Sequence, residues 1–289
     1  MTSRVPPTAL TAAAARAAHL IVDTSPTIFA DTLAQVVLAE RAEELLSYHR
    51  RNGAHLVLAS ARTQVTCRSR FTEDRLAEAV ARGVEQYVVL GAGLDTFAYR
   101  SELASRIRVF EVDHPSTQDW KRARLDGVAP LGTVRYVPVD FETDDLAGRL
   151  VASGYDPTVP GMVSWLGVTM YLTGAAISQT VAVIGGFAPG TELIADYMLA
   201  PELRDPAGQT YVDLVAPAAA ERGEPWLTFL TPDQASTVLS AGGFDRVEHV
   251  GQRDMVPAAV WDRTDGLAPV SLSQIVHARI GASRSALTG

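Results

Sequence analysis

The stretch "EQYVVLGAGLDTFAYR", Glu85 to Arg100, holds residues whose types and spacing could bind a charged ligand. An apolar run leads into Gly91 and Gly93, which lack a Cβ and so let the backbone turn tightly and approach a bound molecule closely. Asp95 then brings a negative charge to the loop. About 20 residues past the loop, Asp113 ends "VFEVD", the place where an acidic residue accepts both hydroxyls of a ribose. Glu111, in the same stretch, joins it on the cofactor side. Asp140 ends "YVPVD", where a carboxylate could accept from an adenine amino group while Phe141 covers the ring. One acidic strand end is as easily a helix cap; three in register point to an adenosine ligand.

NAD would need the free N–H groups of the following helix for its diphosphate, and a small third residue in GxGxxG. Thr96 stands at that third position, and Asp95 would repel the phosphates. S-adenosyl-L-methionine has no phosphate and carries a sulfonium and an ammonium, both of which an acidic loop attracts. It is the expected cofactor.

Such a loop works only at the carboxyl end of a parallel strand followed by a helix. Five short apolar stretches, "QYVVLG", "IRVFEVD", "VRYVPVD", "GMVSWLG" and "ELIADYM", alternate with helical segments, and "FDRVEHV" and "SLSQIVHARI" follow. This pattern predicts a seven-stranded α/β sheet, doubly wound, in a single domain over residues 1–289. Residues 1–60 read as a helical cap, 61–197 as the cofactor-binding core, 198–230 as a proline-rich lid insert and 231–289 as completion of the sheet. In the cap, "ADTLAQVVLAERAEELLSYHR" carries Leu33, Val36, Val37, Glu40, Glu44 and Tyr48 at helical spacing. Thr231, Pro232 and Gln234 announce a helix with a capping box, ended at Gly242.

Composition narrows the function classes. The 289 residues are 47% hydrophobic and 20% charged, ordinary globular usage, with a net charge of -8 and no block of Lys or Arg. Nucleic acid and anionic membrane are therefore poor partners, and a small molecule is expected. No apolar run approaches the ~20 residues of a membrane span. Arg16 and His19 interrupt "TALTAAAARAAHLIV", which reads as a helix of the mature protein rather than a secretion signal. A single cysteine, Cys67, excludes an internal disulfide and fits a reducing, cytoplasmic setting. The six histidines show no ligand spacing, so no metal is expected. Neither a GxSxG elbow nor a GxxxxGK[ST] loop is present.

With these residues in view, the sequence resembles the leucine carboxyl methyltransferase family, in its bacterial branch of S-adenosylmethionine-dependent methyltransferases. "CRSRFTEDRL", "VVLGAGLDTFAYR", "FEVDHPSTQDWKR", "VPVDFE" and "SWLGVTMYLT" carry the resemblance, in family order and spacing. It implies a class I methyltransferase, Rossmann-like fold and a cofactor carboxylate bound by arginine just before the first strand, where Arg68 and Arg70 stand. A guanidinium fork suits a carboxylate bidentately. The resemblance also implies Asp113 on the ribose and Asp140 at the adenine. Two positions depart from the family pattern. Phe97 replaces a common arginine, and Leu166 replaces a common glutamate, so that a cofactor contact there must come from the backbone or from elsewhere.

On the acceptor side, Tyr171 and His114 are the catalytic candidates, His114 as a base. Trp226 and Phe229, with Tyr171, are expected to line a substrate pocket closed by the cap and the insert. Three functions compete. The first is O-methylation of a carboxylate or hydroxyl of a small molecule in secondary metabolism; the second is C- or N-methylation of an indole-like aromatic; the third is cofactor binding without catalysis.

Overall fold

The computed structural model describes residues 6–141 and 143–281. Its sheet consists of β1 (Gln86–Leu90), β2 (Arg108–Asp113), β3 (Thr133–Pro138), β4 (Met162–Trp165), β5 (Glu192–Met198), β6 (Arg246–Gly251) and β7 (Ser273–Arg279). The helices are α1 (Pro7–Val22), α2 (Ala34–Leu38), α3 (Ala42–Asn52), α4 (Leu56–Ala81), α5 (Phe97–Arg100), α6 (Pro115–Arg124), α7 (Leu146–Ala152), α8 (Gly174–Gly185), α9 (Pro206–Glu221) and α10 (Pro232–Ala241).

A strand that is apolar at every position must be covered on both faces, which places it at the centre of a sheet. β1 is buried throughout and lies between β2 and β4, parallel to both. Val88 and Leu90 pack on one face with Leu150 of α7, Ile184 of α8 and Leu239 of α10. Tyr87 and Val89 pack on the other with Phe71 and Leu76 of α4. The strand order is β3-β2-β1-β4-β5-β7-β6, and β7 runs antiparallel to both of its neighbours. The direction of winding therefore reverses between β1 and β4, and the crevice beyond their carboxyl ends is where open parallel sheets bind ligands.

The capping box at Thr231 forms as its sequence announces: Gln234 N–H donates to the Thr231 hydroxyl at 3.2 Å, and Thr231 N–H donates to the Gln234 side chain at 2.9 Å. The N-terminal region departs from its periodicity. Ala39 has φ +47°, ending α2, and a 3-10 turn over Ala39–Arg41 leads into α3. The break lets α2 and α3 wrap α1, with Val37, Leu38 and Leu46 buried in one cluster with Leu10 and Ala17. Val36 and Tyr48, counted on the apolar side by spacing, are exposed as a result. Periodicity reports a face but not a bend in the axis. α4 runs unbroken through residues 60 and 61, so one helix joins the cap to the core. No helix among the described residues is long and apolar enough to cross a membrane.

Candidate active site

The loops after β1, β2 and β4 converge at the winding reversal. Gly91 and Gly93 both take positive φ, +64° and +49°. Gly91 is glycine for a packing reason: an added Cβ would lie 2.4 Å from the Val168 side chain, from the loop after β4. The neighbour at Gly93 is Ala9 of α1, at an ordinary 3.7 Å from such a Cβ. The first turn of α1 thus rests on the glycine loop. Asp95 accepts from the Phe97 N–H, the first of α5, at 2.7 Å; α5 is a single turn with Thr96 at its N-cap. Phe97 itself is buried, edge-on to Tyr87 at 5.1 Å.

Asp113 ends β2 with both oxygens engaged by backbone. One accepts from Gly93 N–H at 2.6 Å and the other from His114 N–H at 2.7 Å. Burial pushes its carboxyl above the usual range, against the pull of those two donors. Asp113 thus ties the end of β2 to the glycine loop. Glu111, one step back on the same face, is 2% exposed and pairs with Lys121 of α6 at 2.6 Å. It braces β2 against α6 inside the layer. Asp140 lies two residues past β3, its N–H donating to Asp144, and Phe141 packs partly buried against the core beside it.

Arg68 and Arg70 separate. Two residues apart on α4, their side chains project about 200° apart around the helix. Arg68 reaches the β4–β5 end, where Nη1 donates to Asp196 at 2.7 Å. The other Asp196 oxygen accepts from Gly167 N–H at 2.6 Å. Gly167 has φ +72°, which favours glycine, and a Cβ there would lie 2.7 Å from Arg68 Nη2 and displace the guanidinium. Arg70 pairs with Asp74 at 2.7 Å on the half-exposed side of α4, along a groove of about 430 Å³ shared with Phe29, Glu73 and Arg100. It is not brought to the glycine loop. Leu166 packs its side chain against the apolar cluster under β1.

Tyr171, Trp226 and Phe229 come together. They pack with Met170, Met198 and Tyr211 in one cluster. The Tyr211 and Trp226 rings stack with centroids 6.5 Å apart, and Trp226 and Phe229 lie 6.4 Å apart. Burial, above all, raises the Tyr171 hydroxyl's pKa; Thr8 and Trp226 are its polar neighbours, and the charges of Glu224 and Arg68 act on it from nearby. The insert is tied to the strand ends through Leu227 N–H to the Met170 carbonyl at 2.7 Å and Leu230 N–H to the Met198 carbonyl at 2.9 Å. Glu224 of the insert accepts from the backbone N–H and the hydroxyl of Thr8 in α1. His114 stands apart from this cluster, exposed at the end of β2, where its Nδ1 accepts from Ser116 N–H and caps α6.

Residues that spacing did not single out for the site are Arg16 and Asp31, which reach the glycine loop from α1 and from the segment between α1 and α2. The signal was an arginine inside an alanine-rich helix, where a charge must find a partner once buried.

The described residues fit the expected cofactor. A guanidinium stands at the β4 side for a carboxylate, carboxylates stand at the β1 and β2 ends, and the "GAGLDT" loop carries no basic residue for a diphosphate.

Comparison with known proteins agrees with this cofactor. Over 295 aligned positions the chain is 28% identical to a Bacillus subtilis (strain 168) protein named "Putative S-adenosyl-L-methionine-dependent methyltransferase YktD", covering 94% of this chain and 96% of that one. A solved DUF574 family protein from Streptomyces avermitilis shares the fold with a TM-score of 0.59 at 18% identity, over 92% of this chain and 96% of that one. A solved Thermobifida fusca YX protein, titled a "putative methyltransferase", shares it with a TM-score of 0.57 at 20% identity, over 87% and 95%. The model of the family described as leucine carboxyl methyltransferase matches residues 9–185, from the first turn of α1 to the end of α8, and the chain belongs to that family.

Proposed function

We infer that this methyltransferase uses S-adenosyl-L-methionine to methylate a small molecule on a carboxylate or hydroxyl oxygen. The observation that carries the reading is the placing of charged side chains around the winding reversal. Arg68 lies with Asp196 beside the Gly167 turn after β4, while Asp95 lies in the glycine loop and Asp113, bonded to Gly93 N–H, ends β2. Bound there, the cofactor would supply an electrophilic methyl group for in-line transfer, the acceptor bonding to the methyl carbon as its bond to sulfur breaks and S-adenosylhomocysteine departs.

The chain's own contribution is positioning and exclusion of water. Arg68 would hold the carboxylate end, with Asp196 keeping the guanidinium in place. Asp113 would hold the ribose, with Asp140 and Phe141 at the adenine. Asp95 would face the cationic end. A carboxylate acceptor is already anionic and needs no base, so alignment at near-attack distance accounts for much of the rate. No proton transfer is assigned to His114, whose Nδ1 serves as a helix cap. The aromatic cluster supports the second reading, transfer to a ring carbon or nitrogen of a planar aromatic, because Tyr211, Trp226 and Phe229 offer faces and edges on which such a ring could lie.

Calorimetry tests the cofactor. S-adenosylhomocysteine is expected to bind and NAD not, and tighter binding of NAD would end the methyltransfer reading. Incubation with methyl-labelled S-adenosylmethionine and a panel of carboxylates, phenols and indoles, followed by mass spectrometry, then separates oxygen from ring acceptors.

Trp226→Ala bears on the acceptor alone. It is expected to lower turnover of a large aromatic acceptor by up to on the order of 10²-fold through lost alignment, with S-adenosylhomocysteine affinity nearly unchanged. Equal loss of both would make the insert scaffold.

A further inference from the structure

On the sheet side the glycine loop is held by Ala92 N–H to the Val112 carbonyl at 3.0 Å and Gly93 N–H to Asp113 at 2.6 Å, and at its far end Arg100 donates to the Thr96 hydroxyl at 3.0 Å. Two of its residues are glycines at positive φ, and the helix after it, α5, is a single turn. Such a segment has conformational freedom that ligand binding would have to remove, at a cost in affinity unless something else has already removed it. α1 and the segment that follows it add a restraint from outside the loop. Arg16 of α1 donates from Nη2 to the Leu94 carbonyl at 2.7 Å and from Nε to Asp31 at 2.8 Å. The other oxygen of Asp31 accepts from the Thr96 hydroxyl at 2.6 Å. Leu94 and Thr96 are the two neighbours of Asp95.

Both members of the pair are buried, Arg16 at 8% exposure and Asp31 at 2%. Burial alone would raise the Asp31 carboxyl, but Arg16 and Arg100 together hold it below the usual range, so it remains a carboxylate. Leu94 buries its side chain among Leu10, Ala13 and Ala17 of α1. The contact is thus apolar packing on one side and a charge-assisted clamp on the other.

We propose that Arg16 and Asp31 are positioning residues for methyl transfer: the pair grips the residues on either side of Asp95 and so sets the direction of its carboxylate toward the cationic end of the cofactor. The proposal rests on the cofactor reading above. It makes the segment from Arg16 to Asp31 part of the cofactor site rather than only a cover for it.

A second buried pair in the same region gives the control. Arg62 donates to Asp23 at 2.8 Å with both side chains 1% exposed, and its hydrogen-bond partners among the described residues are Asp23, His49 and the Gly53 carbonyl, none in the loop. R16M and R62M are both expected to lower Tm. Only R16M is expected to raise the Kd for S-adenosylhomocysteine, by about tenfold, the effect of losing one charge-assisted hydrogen bond. Only R16M should lose amide protection in the peptide covering residues 91–100, read by hydrogen exchange without ligand.

Should R16M not fold, R16K carries the comparison. It keeps a charge for Asp31 but has no forked second nitrogen for Leu94, and a several-fold loss of affinity is expected. An R16M or R16K variant with loop protection and affinity equal to those of R62M would overturn the clamp. Protection lost in the Arg16 variant, with a wild-type chain that binds no S-adenosylhomocysteine, would instead overturn the cofactor reading and the direction assigned to Asp95.

Discussion

Arg68→Met should weaken S-adenosylhomocysteine binding by about 10–100-fold and destabilise the fold at the same time. The affinity loss follows from removing a charge-assisted contact to a carboxylate, worth about 1.5–3 kcal/mol. The stability loss has a separate cause. Asp196 is 1% exposed, and without Arg68 its carboxylate keeps, among the described residues, the Gly167 N–H as its hydrogen-bond donor. Stranding a buried charge in this way costs about 3–5 kcal/mol. The two effects separate in the double variant R68M/D196N, which removes the stranded charge and should recover much of the stability but none of the affinity. Urea unfolding and calorimetry on the single and double variants measure both. A folded R68M that binds S-adenosylhomocysteine like the wild type would leave Arg68 as the counter-ion of Asp196 and nothing more.

Asp113→Ala is expected to raise the Kd for S-adenosylhomocysteine by about 5–150-fold, or about 1–3 kcal/mol, with the fold retained. The substitution removes the acceptor for Gly93 N–H and His114 N–H together with the carboxylate proposed for the ribose. Asp113→Asn tells the two roles apart. Its side chain can still accept a backbone N–H through one oxygen but carries no charge, so it should preserve loop protection in hydrogen exchange better than alanine. If the ribose contact dominates, both variants lose similar affinity; if loop shape dominates, asparagine loses much less. Unchanged affinity in a folded Asp113→Ala would place the ribose elsewhere.

The sequence by itself determined the sheet, the position of the glycine loop and the acid at the end of β2. Each of these is written in a local pattern: apolar runs the length of a strand, glycines where the chain must turn, and a carboxylate about 20 residues on. The capping box at Thr231 is local in the same sense and appears where its residues stand. The tertiary structure alone decided which side chains meet. Arg68 and Arg70 are equivalent in a motif, yet on α4 they face opposite ways, one to Asp196 and one to Asp74. The bend at Ala39 and the antiparallel β7 depend on what packs against them. Arg16 and Asp31 lie more than 60 residues before the loop they hold, and nothing in the residues around either one names Leu94 or Thr96 as its partner. Local periodicity fixes what an element is, because it reflects the backbone's own repeat. A contact between distant segments exists only once the elements have packed, and the partner of a buried charge is chosen by that packing.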